Sequence, residues 1–150
     1  MSALAFFGAF FATCPRGLEA LLAEELRGIG ASAIRVVPGG VGFEGDLAAC
    51  YGANLHSRIA TRVLLQLGHA AYRNEQDVYD AAYEVPWQRW FTVARSIRVD
   101  VTAIRSPLKS LDFITLRIKD AVCDRFRAEC GSRPNVDTRA ADVRIAAFLD

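Results

Sequence analysis

The sequence predicts an α+β protein, because strand-like and helix-like segments alternate along nearly the whole chain. Three kinds of pattern support this: apolar runs of strand length, apolar stripes at helical spacing, and turns marked by proline and glycine. The composition agrees, since 52% of the 150 residues are apolar and 23% are charged, as is typical of globular proteins. A chain of this length can form one ordinary domain or two small ones that share a core.

The first two predicted elements are a strand and a helix. The apolar run from Ala5 to Thr13 predicts a buried strand, and Pro15 fits the first position of a helix, where no N–H bond is lost. Gly28 and Gly30 end this helix. Its apolar stripe consists of four leucines at helical spacing, Leu18, Leu21, Leu22 and Leu26.

A hairpin is predicted next. Residues 33–37 and 41–44 are strand candidates, and the segment between them contains Pro38, Gly39 and Gly40. This is a strong turn signal, because proline presets its own φ and glycine admits positive φ.

A second helix and a fourth strand complete the first set of elements. Asp46 is a good N-cap for a helix that extends through Leu55, and a strand is predicted at 61–67. The apolar stripe of this helix is predicted to be Leu47, Tyr51 and Leu55. The resulting order, βαββαβ, is the ferredoxin-like split-βαβ arrangement, an antiparallel sheet with two helices on one face. Because this fold supports many unrelated functions, it predicts no chemistry by itself.

A second unit is predicted from Asn74 onward, and we place the domain boundary at 1–70 and 71–150. Residues 78–85 have helical spacing, and Ile97, Val99 and Val101 alternate with polar residues as in a half-buried strand. Asp112 is a candidate N-cap for a long helix that ends at Gly131, and a last strand is predicted at 143–149. The core stripe of the long helix is expected to be Ile114, Ile118, Ala121, Val122 and Phe126.

Positive charge is concentrated in the second half of the chain. Residues 86–150 contain 12 Lys+Arg and 8 Asp+Glu, whereas residues 1–85 contain 6 and 9. Such asymmetry suggests a polyanionic partner, although ordinary solvated surfaces produce differences of this size as well. The basic residues around the long helix and its flanking loops are Arg105, Lys109, Arg117, Lys119, Arg125, Arg127, Arg133, Arg139 and Arg144.

Several other kinds of site and location are not expected. The longest apolar run, Ala3 to Cys14, is too short to span a bilayer and lacks the flanks of a signal peptide, so we expect a cytoplasmic protein without a membrane partner. The four cysteines have irregular spacing, which suggests neither a zinc site nor a disulfide framework. Cys14 has no recognisable histidine partner, so we expect a core thiol and no catalytic residue.

Five sequence blocks resemble a known family when taken in order. They are FFGAFFATCPRG at 6–17, PGGVGFEGD at 38–46, NLHSRIATRVLL at 54–65, LRIKDAVCDRFR at 116–127 and RPNVDTRAADVRI at 133–145. Together they resemble the amino-terminal region of bacterial S-adenosylmethionine-dependent methyltransferases that form N2-methylguanosine in 23S rRNA. The resemblance covers nearly the whole chain.

This resemblance implies a ferredoxin-like subdomain followed by, or interwoven with, a THUMP domain that captures RNA for a methyltransferase domain further along the chain. The sequence contains neither a glycine-rich cofactor loop after a strand nor an N-P-P-Y or D-P-P-Y motif. We therefore expect no S-adenosylmethionine binding and no methyl transfer by this chain alone. The resemblance implies that it is part of a longer enzyme, with 23S rRNA and its own carboxy-terminal methyltransferase domain as partners.

RNA capture needs cations for phosphates and hydrogen-bonding or flat groups for bases. The candidate RNA-binding residues are Arg105, Lys109, Arg117, Lys119, Arg133, Asn135 and Arg139. Arg117 and Lys119 are predicted on opposite flanks of the long helix, and the loop residues before and after that helix are expected to form a second patch. Any one of these residues also fits an ordinary solvated surface.

Other charged and aromatic residues are expected to have structural roles. Arg125 falls on the apolar face of the long helix, so we predict an ion pair with Asp142. Asp120 and Asp137 are predicted to pair with neighbouring arginines. Trp87, Trp90 and Phe91 can stack on bases, but we expect them to fill the seam between two packed units.

Two other functions remain open at the level of sequence. The first is a related alternative that the resemblance allows: the same module serving a tRNA-modifying enzyme, such as a tRNA methyltransferase or a 4-thiouridine synthetase. A ferredoxin-like domain that binds a protein or a small ligand, with an incidental basic surface, is the alternative from a different class. Salt dependence separates these functions, because RNA binding releases counterions and weakens steeply with salt.

Overall fold

The computed structural model describes residues 6–150, which form two compact units that divide after Leu67. The boundary predicted from the sequence lay three residues later, at residue 70. Ala5, the first residue of the predicted amino-terminal strand, and the start of the apolar run at Ala3 lie outside the described residues.

The first unit has the predicted ferredoxin-like order. Its sheet has the order β2-β3-β1-β4, and β1 lies antiparallel between β3 and β4. The β2–β3 hairpin is also antiparallel, so the predicted split-βαβ arrangement is confirmed. The elements are β1 Phe7–Thr13, α1 Glu19–Gly28, β2 Ser32–Val37, β3 Gly40–Asp46, α2 Leu47–His56 and β4 Arg62–Leu65.

Aromatic and branched side chains form the core of this unit. Phe10 of β1 and Phe43 of β3 are cross-strand partners, and their rings stack with centroids 5.3 Å apart. Leu22 and Leu26 of α1 are fully buried against the same cluster. This packing of helix on sheet is the main apolar contact that holds the first unit together.

The first helix begins later than the sequence predicts. Pro15 is not its first residue, because α1 starts at Glu19 after a turn in which Gly17 has a φ of 94°. The Glu19 carboxylate accepts N–H bonds from Gly17 (2.7 Å) and Gly39 (2.9 Å), which joins the helix start to the hairpin turn. With this start, Leu18 and Leu21 remain 37% and 52% exposed, so half of the predicted leucine stripe is wrong.

The second helix has the predicted N-cap, but the predicted apolar stripe of this helix is wrong. Asp46 accepts a hydrogen bond from the Ala49 N–H at 2.9 Å, as expected of an N-cap. The buried residues are Ala49 and Ala53, whereas Tyr51 and Leu55 are 63% and 78% exposed. The reason is the short distance between helix and sheet, since a Cβ placed on Gly45 would lie 2.6 Å from the Ala49 Cβ. Only small side chains fit at that distance.

The second unit contains two helices, a short 3₁₀ helix and two parallel strands. The α4 helix connects β5 to β6, so these three elements form a βαβ unit. The carbonyl of Asn135 accepts a hydrogen bond from the Ile97 N–H, which attaches the segment after α4 to the start of β5. The elements are α3 Glu75–Glu84, the 3₁₀ helix Trp87–Arg89, β5 Ile97–Ala103, α4 Leu111–Cys130 and β6 Val143–Leu149.

The long helix has the predicted core stripe and the predicted end. All five predicted stripe residues are at most 4% exposed, and Gly131 ends the helix in the left-handed conformation with a φ of 77°. Its predicted N-cap is wrong. The cap is Ser110, two residues before Asp112, and its side chain accepts a hydrogen bond from the Phe113 N–H at 3.3 Å.

Aromatic side chains connect the 3₁₀ segment with α4 inside the second unit. Trp87 is 5% exposed and its indole N–H donates to the Ala82 carbonyl at 2.8 Å. Phe91 lies between Trp87 and Phe126, with ring centroids 6.4 Å and 5.2 Å away. Trp87 is therefore a core residue of the second unit and is not exposed for base stacking. Trp90 is 39% exposed.

Within residues 6–150, no helix combines the length and the apolar character that crossing a bilayer requires.

The close contact between β1 and β3 gives a test of the packing. Gly40→Ala would place a Cβ 2.5 Å from the Ala12 carbonyl oxygen, so we expect the free energy of unfolding to fall by about 1–3 kcal/mol. Gly28→Ala is the matched control, because nothing lies within 4 Å of its Cβ position and its stability should be unchanged or slightly higher. Urea titration followed by circular dichroism measures both. Equal stability of the two variants would contradict the described packing at Gly40.

Candidate nucleic-acid interface

The boundary between the two units changes the interpretation of the charge distribution. Residues 68–150 contain 13 Lys+Arg and 12 Asp+Glu, and residues 1–67 contain five of each. The asymmetry noted in the sequence depended on dividing the chain at residue 85, which separated the four acidic residues of α3 from the basic residues of α4. Local arrangement, and not net charge, therefore defines any polyanion-binding surface in the second unit.

The loop residues of the predicted site lie at two ends of one helix. Arg105 and Lys109 lie between β5 and α4, whereas Arg133 and Asn135 follow α4. A 20-residue helix separates the two pairs, which corresponds to about 30 Å along its axis. The prediction that these four residues form one second patch is therefore wrong.

A row of cations follows one flank of α4. Lys119 and Arg127 are eight residues apart with Cys123 midway, so all three project from the same side of the helix. Burial raises the pKa of the Cys123 thiol, and the nearby charges of Arg133, Lys119 and Arg127 oppose that rise, whereas the charge of Asp120 adds to it. Lys119 and Arg127 on this flank, together with the exposed Arg133 just beyond the end of the helix, are the three cations that we call the basic row.

Arg127 is the member of the basic row that sequence reasoning omitted. Arg127 is among the basic residues noted around the long helix, but it is not one of the predicted RNA-binding residues. The spacing of eight residues indicates its connection with Lys119, because each step of four residues turns a side chain by only about 40° around the helix, so Lys119 and Arg127 stay on one flank.

The carboxylates beside the basic row do not bury its charge. Lys119 Nζ lies 2.8 Å from Asp120 Oδ1, and Arg127 Nη1 lies 3.7 Å from Asp124 Oδ1. The prediction of an arginine partner for Asp120 is therefore wrong, since its partner is Lys119. The side chains of Lys119 and Arg127 are 24% and 56% exposed, so Arg127 is the more accessible of the two cations. Ion pairs at such partly exposed positions contribute little stability, so a phosphate can replace either carboxylate at small cost. Arg133 is exposed and adds a third cation.

Arg117 lies on the other flank of α4, as predicted, and contacts α3. Its guanidinium lies 4.3 Å from the Tyr79 ring centroid, and its Nη2 donates to Gln76 Oε1 at 2.9 Å. The Tyr79 hydroxyl in turn donates to Asp124 Oδ2 at 2.5 Å. Arg117 thus takes part in the packing of the two helices, and only part of its hydrogen-bonding capacity faces solvent.

Arg125 has the structural role that was expected but a different partner. The predicted ion pair with Asp142 is wrong: Arg125 Nη2 lies 3.3 Å from Glu129 Oε1, and its Nη1 donates to the Tyr83 carbonyl at 3.1 Å. The Asp142 carboxylate accepts the Ser96 N–H at 3.0 Å instead. The contacts with Glu129 and Tyr83 hold the Arg125 guanidinium within the second unit.

The last two predicted RNA-binding residues, Asn135 and Arg139, lie in the segment before β6. Asn135 is exposed, and its carbonyl accepts the Ile97 N–H at 2.8 Å. The Asp137 carboxylate accepts the N–H groups of Ala140 (3.1 Å) and Arg139 (2.9 Å), and these bonds lower its pKa. Asp137 therefore bonds to the Arg139 backbone and not to its guanidinium, which corrects the predicted side-chain pair. The folded loop leaves the Arg139 residue exposed.

Cysteine and histidine chemistry has little support in residues 6–150. No group of three or more His, Cys, Asp or Glu side chains in that range is arranged to hold a metal ion. Cys14 is 8% exposed, and burial together with the charge of Glu19 raises the pKa of its thiol. A thiol with a raised pKa is a poor nucleophile at neutral pH.

Comparison with known protein families now defines the class. Residues 72–150 match the THUMP domain, and residues 9–64 match the RlmL ferredoxin-like domain. The chain belongs to the THUMP domain family, and both the resemblance noted in the sequence and the α+β fold class are confirmed.

Its most similar relatives include two large bacterial proteins. The ribosomal RNA large subunit methyltransferase K/L of Aeromonas salmonicida is 43% identical over 140 residues, which cover 93% of this chain and 20% of the relative. The protein of the same name from Aeromonas hydrophila is 42% identical over the same length and coverage. The chain thus spans about a fifth of the length of these curated relatives.

A solved structure supports the fold independently. A Listeria monocytogenes protein described as a predicted N6-adenine-specific DNA methylase superimposes with a TM-score of 0.85 at 22% identity. The match covers 99% of this chain and 39% of that chain. At this level of identity, the likeness establishes the fold and not the substrate.

The Tyr79 hydroxyl gives a pH-dependent test of the α3–α4 contact. The hydrogen bond to Asp124, with a smaller effect of burial, raises its pKa from 10.0 to about 12. The neutral phenol is therefore favoured in the folded state, and this stabilisation is complete below pH 10 and lost as pH rises toward 12. We expect one tyrosine to titrate near pH 12 by ultraviolet absorbance, and Tyr79→Phe to remove that component.

Tyr51→Phe is the control for this titration, because Tyr51 is 63% exposed on α2. It should leave the late component in place. A late component that persists in Tyr79→Phe would show that the Asp124 hydrogen bond does not have this effect.

Proposed function

We propose that this chain is the RNA-binding and substrate-positioning module of a 23S rRNA guanine-N2 methyltransferase. The observation that carries the proposal is the basic row of Lys119, Arg127 and Arg133 on a THUMP domain. The names of the relatives, ribosomal RNA large subunit methyltransferases, support ribosomal RNA as the substrate class. A bacterial enzyme of this kind acts in the cytoplasm.

In this proposal, methyl transfer belongs to a domain outside this sequence. The strand-to-helix connection at 104–110 contains no glycine, so it does not fit the glycine-rich loop that a nucleotide-like cofactor requires. S-adenosylmethionine would therefore bind in a separate carboxy-terminal domain, which is the intramolecular partner of this module.

The basic row fits an RNA backbone in spacing and in chemistry. Lys119 and Arg127 are about 12 Å apart along the helix axis, so they can contact different phosphates of one strand. Asp120 and Asp124 hold the two cations near the surface until a phosphate replaces them. Each replacement releases counterions from the RNA, which favours binding at low salt.

Salt-dependent binding tests this function. We expect labelled 23S rRNA fragments to bind in fluorescence-anisotropy titrations, with affinity that falls steeply as salt rises. In the Lys119→Ala, Arg127→Ala, Arg133→Ala variant, the slope of log affinity against log salt should decrease by about 2, from three lost contacts of about 0.7 each. Circular dichroism confirms that each variant is folded.

Two control variants separate specific contacts from general charge. Exchanging lysine and arginine at the same three positions keeps the charge and should keep most of the slope. Arg27→Ala with Arg62→Ala removes two exposed cations from the first unit and should have a smaller effect. Failure of the folded wild-type chain to bind RNA, or binding without salt dependence, would reject RNA capture and favour a protein or small-ligand partner. Preference for tRNA over 23S rRNA fragments would assign the module to a tRNA-modifying enzyme.

A further inference from the structure

Strand β6 has one buried side and one exposed side, whereas most of β5 is half-buried. Along β6, Val143, Ile145, Ala147 and Leu149 are buried or half-buried, whereas the residues between them are exposed. The parallel register places Arg98 beside Arg144, Asp100 beside Ala146, and Thr102 beside Phe148. These six residues, which we call the outer sheet face, are Arg98, Asp100, Thr102, Arg144, Ala146 and Phe148.

Two arginines on the outer sheet face share one carboxylate. Arg98 Nε lies 2.9 Å from Asp100 Oδ1, and Arg144 Nη2 lies 3.4 Å from Asp100 Oδ2. Like charges directly opposite each other on neighbouring strands are destabilising, and a single carboxylate neutralises only one of the two. Arg98, Arg144 and Asp100 together therefore carry one net positive charge, whereas a simple structural ion pair of one arginine and one carboxylate carries none.

The guanidinium groups of Arg98 and Arg144 are held in place, but their N–H donors are not all used in hydrogen bonds. Arg98 also donates from Nη1 to the Thr138 carbonyl at 3.0 Å, which fixes its plane. Among the described residues, the Arg144 guanidinium donates only to Asp100, and a guanidinium has five N–H donors. The side chains of Arg98 and Arg144 are 36% and 46% exposed. A phosphate can thus reach preoriented donors without breaking the contact with Asp100.

An exposed aromatic ring lies further along the same face. Phe148 is 62% exposed, which is unusual for phenylalanine on a strand whose other face is core. Ala146 lies between Phe148 and Arg144 on the exposed side of β6. Arg144 and Phe148 are about 13 Å apart along the strand. The Arg144 guanidinium contacts Asp100, which lies opposite Ala146, so the guanidinium lies closer to Phe148 than that separation suggests.

We infer that the outer sheet face binds one nucleotide of single-stranded RNA, with a phosphate at the Arg98–Arg144 pair and the adjoining base stacked on Phe148. This inference rests on the proposed function and adds the part of the RNA that is recognised. Single strands expose base faces for stacking on aromatic side chains, whereas duplexes do not. The Thr102 hydroxyl beside Phe148 provides a hydrogen-bonding group at the base edge or the 2′-hydroxyl.

The test compares a single-stranded oligoribonucleotide containing 2-aminopurine with its duplex. For Phe148→Leu we expect affinity for the single strand to fall about 5- to 150-fold, the range that stacking of one base provides, with an unchanged salt slope. Arg144→Ala should decrease the salt slope by about 0.7. The 2-aminopurine fluorescence change on binding should shrink in Phe148→Leu, and duplex affinity should not change.

Phe7→Leu is the matched control, because Phe7 is 65% exposed on a strand of the other unit. Thermal unfolding verifies that all variants are folded. The inference is overturned if Phe148→Leu binds the single strand as tightly as Phe7→Leu does. It is also overturned if Phe148→Leu loses as much affinity for the duplex as for the single strand. If wild type binds RNA and only the basic-row variant weakens it, this inference fails while the proposed function stands. If wild type binds no RNA, both fail.

Discussion

The orientation of α4 about its own axis determines the surface of the second unit. Its apolar stripe, from Ile114 to Phe126, is almost completely buried, and Phe126 contacts Phe91. Burial of several large apolar side chains contributes on the order of 10 kcal/mol, more than any ion pair on the surface can. The hydrophobic contact thus fixes the rotation of the helix, and the charged side chains take the directions that remain.

Arginines of the second unit differ in role because their surroundings differ. Arg125 is held by Tyr83 and Glu129, and Arg117 lies on the Tyr79 ring. Arg133 is exposed beyond the end of the helix, and Arg144 shares a carboxylate with a second arginine. A count of basic residues treats all four alike. Only the contacts distinguish guanidinium groups that stabilise the fold from those that can still bind an anion.

The order of elements and the ferredoxin-like fold class could be predicted from periodicity and turn residues. Local caps were predicted where one polar residue dominated, as at Asp46, and missed where Ser110 and Asp112 competed. The buried face of α2 was predicted wrongly because Gly45 lets the helix lie close to the sheet. The spacing of apolar residues along the sequence does not indicate that distance. The resemblance to a family, and not the residue pattern, led to THUMP and RNA.

The candidate site was less accessible to sequence reasoning than the fold. Arg105 and Arg133 were grouped although a whole helix lies between them in the chain. The pairing of Arg98 with Arg144 depends on the register of two parallel strands, and residues 46 positions apart contain no local signal of it. Long-range register of this kind is the information that one sequence alone does not supply.

The parallel pairing of β5 and β6 also has a kinetic consequence. The described strand contacts of β5 join it to Val136 and to β6, so each one closes a long segment of chain that includes α4. Contacts between distant residues form slowly, because the loss of chain entropy precedes the gain from pairing. Helix α4 can form early and locally, whereas the paired arginines come together only after the crossover is complete. Within the second unit, the outer sheet face is therefore completed later than helix α4.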